Sequence, residues 1–265
     1  MKKLTPLQEA IQSIPDGACV GLGGNTLNRA PMAAVFEIIR QGKRGLRVVK
    51  TAGGMDVDAL CGCAAVVDAG FVGYESRYGL AQRYRRAVQA GLVKANEHAC
   101  YTVISALRAA SCGIPFLPVR GLQTTDLRRV NDCFRDVTDP FTGETLAAVQ
   151  AIRPDVAILH AQAADAQGNA LLEGPKYEDV LFSRAARRVI VTAERLVGDG
   201  WFAASAVKAD VPHFLVSHVA LVPRGAWPGA CSGHYEPDDE AIRAFLALED
   251  EPALRRWLEG REKRP

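Results

Sequence analysis

Short apolar runs alternate with amphipathic stretches along almost the whole chain, and this alternation constrains the fold more than any other feature. Continuous runs of four or five apolar residues suit fully buried strands, whereas apolar residues three and four apart suit one face of a helix. Residues 18–22 predict a first strand that ends in glycines. Residues 32–41 place Met32, Val35, Phe36 and Ile39 at helical spacing, after Pro31 at the helix entrance. Residues 46–49 and 71–74 predict two more strands, with a helix over 57–63 between them. Residues 83–90 and 102–111 read as helices, the second stopped by Gly113 and Pro115. Residues 116–119 read as strand, and the second half repeats the pattern. Strands are expected at 156–160, 189–192 and 219–222, with helices at 177–186, 238–248 and 252–259. This order predicts βαβ units and an α/β fold: an open, mostly parallel sheet with helices on both faces. The 265 residues fit one unit, taken as 1–265. Residues 121–145 form the longest stretch without a pattern, expected as a functional loop or a partner contact.

Composition excludes several classes. Net charge is +2, from 32 basic and 30 acidic residues, which gives no basis for a nucleic-acid partner. The basic run at 255–264 is interleaved with Glu259 and Glu262 and reads as a solvated helix end. Gln8, Glu9 and Gln12 interrupt any apolar leader, and no stretch approaches the roughly 18 apolar residues that span a bilayer. A cytoplasmic protein without membrane contact is expected. The cysteine count, seven, is odd; Cys19, Cys61, Cys63, Cys100 and Cys112 sit in apolar runs, where buried free thiols are expected. Cys61-Gly62-Cys63 lacks the spacing of zinc and redox pairs, and His98, His213, His218 and His234 are scattered, so no metal site is expected.

The most informative segment for function is residues 16–25, where a strand ends in Gly21-Leu22-Gly23-Gly24-Asn25. Glycines at a strand end let a ligand approach the main chain and leave amides to donate to an anion. A tight turn with no ligand is the alternative. The dinucleotide fingerprint fails because Thr26 stands where its third glycine belongs, and neither a phosphate loop nor a G-x-S-x-G elbow occurs. Residues 72–79 gather Glu75, Ser76 and Arg77 with two tyrosines after the third strand, either to position a substrate or to cap the next helix. His160 reads as a satisfied histidine, and residues 165–169 as a tight turn with Gly168 at positive φ. Cys100 as a nucleophile needs a histidine base, which His98, two residues away, does not readily supply.

Asp16-Gly17, the apolar strand and Gly23-Gly24 resemble the N-terminal signature of class I coenzyme A transferases, in particular the alpha subunit of the glutaconate type. Further pieces follow in the same order: residues 29–33 with 37–42, 107–110 with 113–121, and 164–170 with 185–194. The resemblance spans roughly residues 5–245 and implies an open α/β sheet and, as its partner, a paralogous beta subunit. In that family a glutamate of the beta-type half attacks the acyl-CoA carbonyl, in an S-E-N-G or related E-x-G context. This chain has no such context, so the resemblance implies that the partner supplies the nucleophile. It also implies coenzyme A as substrate and no tightly bound cofactor. Gly23, Gly24, Asn25, Arg29, Ser76 and Arg120 are the expected substrate-binding residues, with Glu75 and Glu97 as reserve carboxylates. Asn25 departs from the phenylalanine that commonly follows the paired glycines. Some relatives open CoA-linked rings by hydrolysis, using a carboxylate of the alpha-type chain just before the helix at 102–111. Here Ala99-Cys100-Tyr101 occupies that place, and Glu97 is the nearest carboxylate. A hydrolase subunit and a non-catalytic scaffold of the same fold are the alternatives.

Overall fold

A computed structural model describes residues 3–260, apart from the Glu75 side chain. The strands are β1 (Cys19–Leu22), β2 (Leu46–Gly53), β3 (Ala64–Val72), β4 (Lys94–Glu97), β5 (Phe116–Val119), β6 (Phe134–Thr138), β7 (Thr145–Gln150), β8 (Val156–Asp165), β9 (Ala170–Leu171), β10 (Val189–Val197) and β11 (Val216–Leu221). The helices are α1 (Leu7–Gln12), α2 (Met32–Arg40), α3 (Met55–Ala59), α4 (Glu75–Tyr78), α5 (Gln82–Gln89), α6 (Cys100–Ser111), α7 (Leu127–Val130), α8 (Asp179–Ala185), α9 (Trp201–Ala204), α10 (Asp239–Leu246) and α11 (Glu251–Glu259).

Among the described residues the main sheet has eight strands in the order β11-β10-β8-β1-β2-β3-β4, with β9 paired to β8. All its pairings are parallel except the short β8–β9 ladder. Side chains alternate across a strand, so neighbours on β2 and β8 feed opposite faces. Val48, Val156 and Ile158 pack with α2, α3, α10 and α11, while Val49, Ala157 and Leu159 pack with α6 and α8. Two apolar cores therefore sandwich the sheet, as the predicted fold class requires.

The differences from the sequence reading have local causes. β3 starts at Ala64 and β8 runs to Asp165, because small residues such as Ala161, Ala163 and Ala164 are buried in the sheet without a strong apolar signature. The expected long loop at 121–145 contains α7 and β6, and β6 joins β5 and β7 in a separate antiparallel sheet. The buried Phe134 and half-buried Val137 of β6 stand among charged residues that hide the strand in the sequence. Gly168 has φ +110°, and the Asp165 carboxylate accepts the amides of Gln167, Gly168 and Asn169, which makes the expected turn. Among the described residues no helix is long and apolar enough to cross a membrane. Residues 261–264 of the basic run lie outside the described residues.

Candidate functional site

Because the strands run parallel, their carboxyl ends share one edge. From β1 the chain steps outward to β2, β3 and β4 on one side, while β8, β10 and β11 build the other. The β1–β8 junction is thus the switch point, where α/β sheets open a crevice. Backbone strain collects at this edge. Thr26, Arg29, Tyr177 and Arg224 all have positive φ, between 44° and 57°, a conformation that is costly for residues with a Cβ and clusters at functional sites.

The glycine loop differs from expectation in how its amides are used. Gly23 N–H donates to Ile158 O (2.9 Å), Gly24 N–H to the Asp179 carboxylate (3.1 and 3.2 Å), Asn25 N–H to Asn28 O (2.9 Å) and Thr26 N–H to Ala52 O (3.0 Å). Both glycines are required by the protein's own packing. A Cβ on Gly23 would lie 2.3 Å from Asp179 Oδ1, and one on Gly24 (φ +70°) 2.4 Å from the Arg29 carbonyl. Asn25 is half-buried at the rim.

The crevice itself is filled with paired charge. Arg29, only 1% exposed, donates from Nη2 to Asp179 (3.1 Å) and to Pro175 O (2.7 Å), while its Nη1 is buried without a partner. Lys50 reaches Gly23 O and pairs with Asp56 (3.0 Å). Burial pushes the Asp179 carboxyl up against the opposing pull of Arg29 and Lys50. Nearby, His160 bonds Thr192 Oγ1 (2.8 Å) and Glu194 (2.7 Å), as its reading as a satisfied histidine anticipated. Tyr235 OH and the Arg224 amide also donate to Glu194 (2.5 and 2.7 Å). Burial pushes Glu194 up, but the hydrogen bonds from His160, Tyr235 and Arg224 outweigh it and bring the pKa down to about 2. Burial lowers the pKa of His160.

Beyond β1 the edge is less saturated. The Thr51 hydroxyl, at the end of β2, is buried and makes no hydrogen bond of ordinary geometry. Cys100 opens α6, is exposed, and points Sγ at Thr51 O (3.6 Å). The helix start sits tight against β3, since a Cβ on Gly70 would lie 2.3 Å from Cys100 N. Glu178 is half-buried at the entrance of α8, with the Thr51 hydroxyl as a neighbour. Burial raises its pKa, while Thr51 and Lys50 oppose the rise and Asp179 adds to it. Beside the ends of β3 and β4 lies a cavity of about 390 Å³, lined by Phe71, Leu80, Tyr84, Glu97 and His98 among others.

Of the residues singled out from sequence, Gly23, Gly24, Asn25 and Arg29 come together, but Arg29 is buried in an ion pair and its Nη2 is taken by protein groups. Ser76 is exposed on α4, and the Glu75 side chain lies outside the described residues. Arg120 is exposed near the end of β5 and pairs with Glu144 (2.7 Å), a local acid. Glu97 is exposed at the end of β4. Sequence reasoning missed Thr51, Glu178 and Asp179 as a group; the pair Glu178-Asp179 just before an apolar stretch signalled only a helix start. Cys100 and Cys112 are exposed, contrary to the expected burial, because both lie at the ends of α6. Tertiary folding also assembles Asp68, His98 and Cys133, and separately His160, Glu194 and Cys231, with ligand atoms within 4.8 Å of one another. In both sets the carboxylate already accepts from protein donors, Arg47 and Asn96 in the first and Tyr235 in the second.

The coenzyme A transferase family model matches residues 4–221. The chain is 35% identical to the A subunit of 3-oxoadipate CoA-transferase from Pseudomonas knackmussii, over 98% of this chain and 93% of that protein. It is 33% identical to the A subunit of glutaconate CoA-transferase from Acidaminococcus fermentans, over 92% of this chain and 82% of that protein. The crystal structure of glutaconate coenzyme A-transferase from that organism superimposes with TM-score 0.91 at 30% identity, covering 97% of this chain and 88% of the other. A cysteine-to-serine variant of the decarboxylase AibA/AibB superimposes with TM-score 0.90 at 38% identity, covering all of both chains. Likeness over nearly the whole chain, in sequence and in fold, leads to one statement: this chain belongs to the coenzyme A transferase family, among its alpha-type subunits.

Proposed function

We propose that this chain is the alpha subunit of a heteromeric CoA-transferase that moves coenzyme A between an acyl-CoA and a small carboxylic acid. The observation that carries the reading is near-full-length likeness to two proteins named as A subunits of CoA-transferases. The whole length acts as one unit, and its partner is a paralogous beta subunit. That partner supplies the nucleophilic glutamate. This is supported by the lack of an E-x-G context in the chain and by a crevice whose charges are paired internally. Covalent exchange through a glutamyl thioester requires exclusion of water, since the thioester would otherwise hydrolyse. The part of this chain is to shape one wall of that site with the rim of Asn25, Thr51, Cys100 and Glu178. Coenzyme A enters as substrate, and no tightly bound cofactor is called for. The cytoplasm is the proposed location, supported by seven cysteines that all remain free thiols.

The test is co-purification with the product of the adjacent reading frame, followed by an assay of CoA exchange between an acyl-CoA and a free acid. Exchange in the complex, and in neither chain alone, is the expected result. Consumption of acyl-CoA with water only would replace this reading with the hydrolase one. Loss of CO₂ from a carboxyl-bearing acyl-CoA would replace it with the decarboxylase chemistry of the AibA/AibB relative.

A further inference from the structure

We propose that the cavity beside the ends of β3 and β4 receives the hydrocarbon chain of the acyl group, so that the complex favours an apolar monocarboxylic acid over a dicarboxylic one. The inference rests on the CoA-transfer reading and deepens it by naming the substrate class. The cavity has a volume of about 390 Å³, within the range of roughly 300–1,000 Å³ found for small-molecule sites. It lies at the carboxyl ends of parallel strands, where open α/β sheets bind ligands. It also adjoins the start of α6. Gly70, which lines it, packs so closely there that a Cβ would lie 2.3 Å from Cys100 N.

The walls are apolar and open to solvent. Phe71 is 45% and Leu80 55% exposed, although both side chains are large and apolar. The Phe71 ring lies against Gly73, where a Cβ would stand 2.8 Å from Cζ. A backbone bridge from Gly73 to Leu80 holds Leu80 near the end of β3. Val88 of α5 and Leu127 of α7 add further apolar wall. The polar lining offers no free counter-charge inside. His98 is buried, with Nδ1 against Thr102 Oγ1 (3.1 Å) and Nε2 toward Asp68 (3.4 Å). Burial pushes the Tyr84 phenol up to about 12, so it carries no charge at neutral pH. Arg85 and Glu97, of opposite sign, are both exposed on the cavity's edge. A second carboxylate entering this space would lose water without gaining a partner, which is costly. A hydrocarbon chain gains from the same burial. No bond is made or broken in the cavity; it sorts substrates while the thioester meets the partner's nucleophile.

The assembled complex tests this with acetyl-, butyryl-, hexanoyl- and glutaryl-CoA as donors and propionate as common acceptor. From acetyl to hexanoyl, kcat/KM should rise about fourfold for each added methylene. Glutaryl-CoA should fall about tenfold or more below hexanoyl-CoA. Val88→Phe, which fills the cavity, should cut the hexanoyl-to-acetyl ratio about tenfold and leave acetyl-CoA nearly unchanged. Leu80→Ala, at a site more than half exposed, should cut that ratio about threefold. A flat series in wild type, a preference for glutaryl-CoA, or variants that act equally on all chain lengths overturn the proposal. If Val88→Phe weakens subunit association and keeps the chain-length preference, the cavity seats the partner and the proposal falls as well. A wild-type complex that exchanges no CoA with any donor overturns the proposed function instead. The cavity is then decided on the full chain alone, by saturation-transfer NMR with hexanoate. Transfer in wild type that is lost in Val88→Phe supports the pocket, and transfer that is absent, or unchanged in the variant, overturns it.

Discussion

The two halves of the carboxyl edge are built on opposite principles. Between β1, β8 and β10, charge is dense and mostly paired: Arg29 with Asp179 through Nη2, its buried Nη1 being left without a hydrogen bond, and Glu194 with both His160 and Tyr235. At the end of β2 and the start of α6, the Thr51 hydroxyl is buried without a hydrogen bond of ordinary geometry, and Glu178 beside it has no ion-pair partner among the described residues. A buried polar group is costly unless satisfied, so the first half rigidifies the loops after β1 and β11. The second half keeps unsatisfied polarity at a place with access to solvent, which is what a binding rim needs. The glycine loop therefore serves the closed half. It brings Asp179 to the β1 terminus and holds up the wall against which the open half works.

The strongest way to break this comparison is to unpair the closed half. Asp179→Ala leaves the Arg29 guanidinium buried without its counter-charge and should cost about 3–5 kcal/mol, measured from the urea midpoint. A loss near zero would mean that the Arg29 site relaxes toward water. Next comes the joint between β3 and α6. Gly70→Ala forces a methyl against the backbone of Cys100 and should cost about 1–3 kcal/mol while lowering activity of the complex.

Smaller effects sharpen the comparison through pH. Glu194 is depressed to about 2, below its ordinary value, so the native state binds fewer protons than the unfolded chain in that window. Its stabilisation is present above the unfolded glutamate pKa and is lost as pH falls toward 2, and Glu194→Gln should flatten that loss. Glu178 is raised, so the sign reverses. Its contribution is present below the unfolded pKa and lost as pH rises through the folded one, and Glu178→Gln should remove that decline. Thermal melts across pH check both; equal signs would erase the distinction between the halves. The smallest effect is expected at Arg120, whose pair with Glu144 is exposed. Arg120→Ala should change stability by less than about 1 kcal/mol, and the change should shrink with salt.

Much of the fold was legible from period alone, because a strand buried on both faces leaves a continuous apolar run. Residues 18–22, 46–49 and 156–160 announced β1, β2 and β8 in this way. β6 was not legible, since Arg135 and Asp136 of its pattern read as loop chemistry until β7 supplied a partner. At the site, Gly23 and Gly24 were visible because a strand ending in paired glycines has few uses. Arg29 was visible as a charge near that loop, but sequence could not say whether it faces a ligand or an acid 150 positions away.

What the sequence determined by itself is the layered α/β plan, the family resemblance and the lack of the family's nucleophile context, all carried by local period and short motifs. What only the tertiary structure decided is which polar groups are free. Asp179 meets Gly24, Glu178 meets Thr51 and Cys100 meets Gly70 across separations that no local pattern encodes. The physical reason is that saturation is a property of neighbours in space. A carboxylate is a structural pair or a rim group according to what stands within about 3 Å of it, and the fold sets that distance.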